Sequence, residues 1–346
     1  MAANYWDSTQ RRHWQFTKTQ LASMRQKLED DDPSLVQMFP LPQLRHLNIW
    51  FNQQINRLAK RLGVRQQPTA TAQVYMKRFY TKVEIRRTNP YLLMATALYL
   101  ACKMEETPQH IRLVIGEARS LWPEFHCLDT SKLGECEFFL ISEMSSHLII
   151  HSPYRTLGAL QGDLSLSQDE ISLAWSVIND HYMTDLPLLY PPHTVALTAI
   201  LLALVLRPGV PGGSSGAQGG GNSGSQGSMG LSAASAALAQ AQARAALQGG
   251  GILGGGGGGG NGGGSGSTTP TGSQSLSSPT GDGSAKDSRS KVQRFAIWLA
   301  ESNVDVEAMV DCTQELIAFY ECHEQYNDKN TREQINRFIK ARGLDK

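Results

Sequence analysis

The sequence predicts an all-α protein of two tandem five-helix domains, with an N-terminal helix in front and a long glycine-rich insert inside the second domain. Three observations lead there. Apolar residues recur at helical spacing in segment after segment, and no stretch shows a convincing two-residue strand alternation. One unit, an amphipathic helix followed by a turn and a helix apolar on every side, occurs twice. A shift of the chain against itself superposes Ala72 on Ala174, Tyr80 on Tyr182, Pro90 on Pro192, Thr96 on Thr198, Ala97 on Ala199, Leu100 on Leu202 and Ala101 on Ala203. Finally, residues 207–290 hold 27 of the 33 glycines, including an unbroken run from Gly254 to Gly260. Such a stretch buries too little apolar surface to offset its ordering entropy, which predicts disorder.

Taken in order, residues 5–18 carry Tyr5, Trp6, Trp14 and Phe16 and are predicted to form an N-terminal helix outside the main domain. Residues 29–32 follow as an acidic loop closed by Pro33. Leu44, Leu47, Phe51, Ile55, Leu58 and Leu62 share a helical face that Gly63 terminates. Residues 69–83 make the next helix. The segment from Asn89 to Glu106 is the most distinctive in the chain, because it is apolar all round and then stops in Lys103, Glu105 and Glu106. Its start is well specified: Asn89 can accept first-turn amide protons, and Pro90 has no amide proton to leave unpaired. A helix of that kind is one around which others pack, and its charged end is where a partner would bind. A short helix over 108–120 and a fifth over 131–146, with Leu133, Cys136, Leu140 and Met144 on one stripe, complete the first domain.

The second domain repeats the plan with helices over 152–163, 168–183 behind the capping box Ser167 to Glu170, and 192–206. Apolar patterning resumes after the insert at 291–302 and 304–326. The insert is therefore a loop within a domain, which is tolerable because closure entropy grows only with the logarithm of loop length. The expected division is 1–40 for the N-terminal helix and acidic loop, 41–147 for the first domain, 148–206 with 291–340 for the second, and 207–290 for the insert. In the second copy Val205 falls where the first has Lys103, so the core is repeated without the charged tip.

Composition narrows the function. A chain of 346 residues with 40% hydrophobic residues holds two ordinary domains. Its longest apolar run, 195–206, is too short to span a bilayer, and the polar N-terminus with Arg11 and Arg12 is no secretory signal. Five cysteines without paired spacing speak for a reducing compartment and against a disulfide or zinc scaffold. A formal net charge of +1 gives little support to direct nucleic-acid binding, and Arg57, Lys60, Arg61 and Arg65 read as a solvated face. His147 and His151 have the spacing of a metal pair, but Leu148 stands where a metallohydrolase needs glutamate. No nucleophile elbow, P-loop or metal quartet marks an enzyme, and the glycine run lacks the strand and helix of a nucleotide site. No metal or cofactor is expected.

Several longer motifs agree in order with one family. Two tandem five-helix domains with Lys103, Glu105 and Glu106 ending a third helix and Glu137 within a fifth resemble the cyclins. Residues 3–10 (ANYWDSTQ), 62–67 (LGVRQQ), 69–72 (TATA), 77–80 (KRFY), 133–138 (LGECEF), 151–155 (HSPYR) and 184–192 (TDLPLLYPP) are similar to the C-type cyclins of the Mediator kinase module in their fungal form. The resemblance covers nearly all of the chain except the insert. It implies two cyclin boxes and a nuclear, non-catalytic subunit that binds and activates the module's cyclin-dependent kinase. Other module subunits would be partners, the RNA polymerase II holoenzyme an indirect one, and transcription the regulated process, in activation or repression.

The same resemblance implies that Lys103 and Glu137 face the kinase, with Glu106, Glu135 and Trp6 as further interface candidates. Lys103 also has a simpler explanation, since a cation near a helix C-terminus is favourable by roughly 0.3 to 1 kcal/mol, but Glu105 and Glu106 oppose that dipole. Trp175, Asn179 and Asp180 share a helix region and, joined by Trp6, suggest a groove between the domains that holds a peptide of another regulatory subunit. Residues 25–28 match the RxxL degradation pattern, and residues 44–50 occupy the place of a substrate-recruiting patch in which Asn48 replaces leucine. The rival reading, a general transcription factor of the same fold on promoter DNA, calls for a strong basic excess and often a zinc ribbon, and the sequence has neither.

Overall fold

The computed structural model describes residues 4–124, 128–206 and 290–344. Among the described residues it is helical throughout, without strands, as the sequence predicts. The predicted disorder of 207–290 falls, apart from Ser290, outside the described residues. None of the described helices is long and apolar enough to cross a membrane.

The N-terminal region departs from expectation. In place of one helix over 5–18 there is a 3₁₀ turn, Tyr5–Asp7, a short helix α1, Thr9–His13, and a break before α2, Lys18–Asp30. The break has two causes. Trp14 is buried in the first core, under the guanidinium of Arg78 at 5.0 Å, and Thr17 opens a capping box with Gln20 that starts α2 afresh. The acidic loop is also displaced: Glu29 and Asp30 end α2, while Asp32 caps α3, Pro33–Met38, by accepting from the Leu35 amide.

The first bundle consists of α4, Leu44–Arg61; α5, Gln66–Phe79; α6, Pro90–Met104; α7, Ile111–Leu121; and α8, Thr130–Glu143. α6 is its axis, with Tyr91, Leu93, Met94, Leu98 and Leu100 all buried. The predicted start of α7 at 108 lies three residues later because His110 supplies the cap, accepting from the Arg112 amide. The second bundle comprises α9, Tyr154–Asp163; α10, Gln168–His181; a single turn α11, Leu186–Leu189; α12, Pro192–Leu206; α13, Lys291–Glu301; and α14, Val306–Glu324. The capping box at Ser167 and Glu170 forms as expected.

Two features hold the bundles together. Ile49 of α4 and Ala70 and Val74 of α5 bury in the second core while Trp50, Phe51 and Tyr75 bury in the first, so these two helices serve both. The last helix, α15, Asp328–Arg342, was expected to lie with the second domain up to residue 340. Its Ile335, Phe338 and Ile339 instead bury in the first core, and Asn336 and Arg332 hydrogen-bond Glu124. The physical reason is that α15 carries a narrow apolar stripe whose matching surface is on α4 and Phe39, and sequence periodicity does not say which core a stripe enters.

Candidate functional site

The charged tip is built by α6. Asn89 accepts from the Tyr91 amide at 2.9 Å, Pro90 occupies the first helical position, and the apolar body is covered on all sides until Lys103 emerges. The helix closes through hydrogen bonds from the Glu105 amide to the Ala101 carbonyl and from the Thr107 amide to the Cys102 carbonyl, both 2.9 Å. Between them Glu106 adopts φ +54°, a left-handed conformation uncommon for a residue with a Cβ, and its side chain is exposed.

The three charges of the tip have different tasks. Lys103 pairs with Glu137 of α8, and its ammonium also lies 4.6 Å from the centroid of Tyr99. The Lys103 side chain is 39% exposed and that of Glu137 is 12% exposed, so the pair sits at a rim with the lysine outward. Glu105 is a brace: it accepts from Thr71 Oγ1 and Gln67 Nε2, both at 2.6 Å, and ties the end of α6 to α5. That answers why a carboxylate stands against the helix dipole there. Glu106 and Glu135 remain exposed.

The sequence reading missed the apolar flank of this pair. Phe138, next to Glu137, is 77% exposed, and Met104, next to Lys103, is also exposed, as is Phe139, which meets Phe79 edge-on at 5.3 Å. The signal was available: Phe138 falls off the stripe of Leu133, Cys136, Leu140 and Met144, so the helix had no buried face for it. Exposed aromatic surface around a charged pair is the composition of a protein interface.

Trp6 lies elsewhere. It is 53% exposed, 5.2 Å from His193 at the start of α12, with the guanidinium of Arg11 5.4 Å over its ring. The N-terminal segment lies across both bundles: Trp14 buries in the first core, and the Phe16 amide donates to the Leu188 carbonyl of the second at 2.8 Å. The contacts of Trp6 are with Tyr5, His193 and Arg11, beside the start of the second repeat's axial helix, whereas the tip closes the axial helix of the first. The proposed groove is likewise divided. Trp175 is exposed and stacks on Tyr154 at 4.4 Å, and Asn179 accepts from the Tyr154 hydroxyl at 2.7 Å. Tyr154 in turn accepts from Gln66 of α5 at 3.1 Å, so these residues do sit at the junction of the bundles. Asp180, by contrast, is 2% exposed and accepts from Tyr320 at 2.9 Å. One helical step past Asn179 turns its carboxylate into the core, so it cannot line a surface groove. Burial pushes the carboxyl up to about 8.

The other sequence motifs are absorbed structurally. Arg25 of the RxxL pattern forms a two-pronged pair with Asp185, at 2.8 Å each, and His147 accepts from the Trp14 indole at 3.1 Å and stacks on His13. Among the described residues no cluster of His, Cys, Asp and Glu could hold a metal ion.

Comparison with known proteins agrees with this architecture. The cyclin N-terminal domain profile matches residues 17–146. An RNA polymerase II holoenzyme cyclin-like subunit of Neurospora crassa is 64% identical over the full length of both chains. The chain is a cyclin. A second such subunit, from Chaetomium globosum, is 65% identical, again over the whole of both proteins, which places this cyclin in the RNA polymerase II holoenzyme cyclin-like group. Among solved structures, a chain of the CAK complex of Chaetomium thermophilum bound to ATP-γ-S shares the fold, with a TM-score of 0.57 and 17% identity, covering 99% of this chain and 88% of that one. In this cyclin the tip presents a lysine with donors to spare, a carboxylate held against it, and exposed aromatic surface beside both.

Proposed function

We propose that this cyclin binds and activates the cyclin-dependent kinase of the Mediator kinase module, and thereby regulates RNA polymerase II transcription in the nucleus, including phosphorylation of the polymerase's C-terminal repeats. The observation that carries the reading is the Lys103–Glu137 pair flanked by exposed Phe138 and Met104. A kinase needs its mobile helix fixed before the lysine–glutamate pair that organises ATP can form. Apolar surface at the tip would bury that helix, while Lys103 and Glu137 would meet its free backbone groups. The cyclin supplies no catalytic atom. It acts by binding the active arrangement of the kinase better than the inactive one. Trp175, Tyr154 and Asn179, and separately Trp6, are the surfaces offered to other subunits of the module, with Asp180 supporting the former from beneath.

The test is kinase activity toward a peptide of polymerase C-terminal repeats, with wild-type cyclin and with K103E combined with E137K. The exchange retains the internal ion pair and hence the fold, but inverts what the tip presents. Binding and activity are expected to fall at least tenfold with an unchanged melting temperature. Full activity in the exchanged protein would move the kinase contact away from the tip.

A further inference from the structure

A cavity of about 300 Å³ lies between the N-terminal helix α2 and the faces of α4 and α5. That volume is at the lower end of the range for small-molecule sites. Leu47, Phe51, Ile55 and Met76 make most of its wall apolar, and Arg25, Leu28 and Glu29 of α2 roof it. Three polar side chains line the same space while buried and without a hydrogen bond at one atom each: Lys77 at Nζ, Gln73 at Oε1 and Asn52 at Oδ1. Lys77 is 6% exposed and the two amides 2% each.

The amide orientations are fixed by their other ends. Gln73 Nε2 donates to Asn56 Oδ1 at 2.9 Å, and Asn52 Nδ2 donates to the Asn48 carbonyl at 2.6 Å, so both carbonyl oxygens are left as acceptors. Gln73 and Lys77 stand one helical turn apart on α5, which sets an acceptor and a cation side by side. The neighbouring charges are already matched. Arg25 takes both oxygens of Asp185, which also accepts from Asn48, and Arg86 pairs with Glu84. Lys77 therefore feels Asp185 at a distance but has no anion of its own. A buried ammonium without a partner is unfavourable, and methionine would fill the same volume without that penalty. Burial lowers this lysine to about 8, against the pull of Asp185.

The geometry points to a binding site for a small apolar carboxylic acid that carries a hydrogen-bond donor next to its carboxylate, such as a medium-chain 2-hydroxy acid. The carboxylate meets Lys77, the hydroxyl donates to Gln73 or Asn52, and the chain fills the space between Leu47, Phe51 and Met76. The site is separate from the tip and from the Trp175 surface, and its roof is the helix through which Arg25 anchors the N-terminal segment to Asp185.

The probe is 2-hydroxyoctanoate, titrated calorimetrically into the full chain, with octanoate lacking the donor and 1-octanol lacking the charge. One-to-one binding of 2-hydroxyoctanoate is expected, with octanoate at least tenfold weaker and octanol weaker again. K77M should weaken the acid at least tenfold and melt at the same or a higher temperature. Should K77M fail to fold, Q73M takes its place, and the advantage of 2-hydroxyoctanoate over octanoate should shrink. Absence of heat with 2-hydroxyoctanoate, many equivalents bound, or variants that bind like the wild type would overturn the assignment and leave the three polar groups to water.

Discussion

The two repeats of this cyclin are the same frame used in two ways. α5 spans Gln66–Phe79 and α10 spans Gln168–His181, and the following axial helices run Pro90–Met104 and Pro192–Leu206, so the boundaries coincide under the same shift that aligns the sequences. The buried positions coincide as well: Thr96 and Thr198, Ala97 and Ala199, and Ala101 and Ala203 are each almost fully enclosed. What differs is charge. Arg78 and Asp180 are equivalent and both buried, but one is a guanidinium and the other a carboxyl that burial keeps protonated; the first donates to the His147 carbonyl at 2.6 Å and lies over the Trp14 ring, the second accepts from Tyr320. Lys103 is equivalent to Val205, which is exposed. The apolar frame is thus tolerant of what hangs on it, and each copy's individuality lies in a buried polar joint and in the solvent end of its axial helix.

The comparison can be broken most sharply at its buried polar joints. Arg78→Ala removes a charge-assisted hydrogen bond and a desolvated cation–π contact, and is expected to destabilise by ~2–4 kcal/mol in denaturant titrations. Asp180→Asn should act through pH. The folded carboxyl holds its proton to about 8 whereas the unfolded one releases it near the ordinary 3.8 of an aspartate, so the folded state binds more protons in between. Stability should therefore fall as pH rises through that window, by up to about 1.4 kcal/mol per unit. Neighbouring His181, lowered to about 3 by burial, works in the opposite direction but only below its unfolded value of 6.5. Between pH 6.5 and 8 the fall belongs to Asp180, opposed only toward the upper end by Lys77, whose folded form begins to release its proton there; melting curves of Asp180→Asn should lose that fall, and an unchanged slope would mean that Asp180 is ionised in the fold. The smallest effect is expected at the solvent end. Val205→Lys gives the second copy its missing lysine, yet should change stability by less than ~0.5 kcal/mol and leave kinase binding as it was, because the first copy's Glu137 and Phe138 come from α8 and a lysine alone does not recreate them.

Much of this was legible beforehand. The axial helices are readable because a long apolar run opened by Asn89 and Pro90 is too long for a buried strand and carries its own helix start. The Lys103 and Glu137 positions were found through family resemblance, but that they hold one another was not, since they lie on different helices and their meeting depends on how α6 and α8 pack. Phe138 could have been found from its place off the stripe. Asp180 was misplaced because one step along a helix turns a side chain by about 100°, enough to convert a neighbour of the surface residue Asn179 into a core residue. The N-terminal helix was overextended because Trp14 reads as helix-compatible until the pocket formed by Arg78 and His147 is known.

By itself, then, the sequence determined the helical class, the repeat, the axial helices and their caps, because these follow from periodicity and from hydrogen bonds within a few residues. Long-range packing settles that α15 enters the first core, that Glu105 braces α5 while Lys103 takes Glu137, and that Lys77, Gln73 and Asn52 line one cavity. Those outcomes depend on surfaces brought together from distant parts of the chain, whose matching is a property of packed shape and charge that no local pattern encodes.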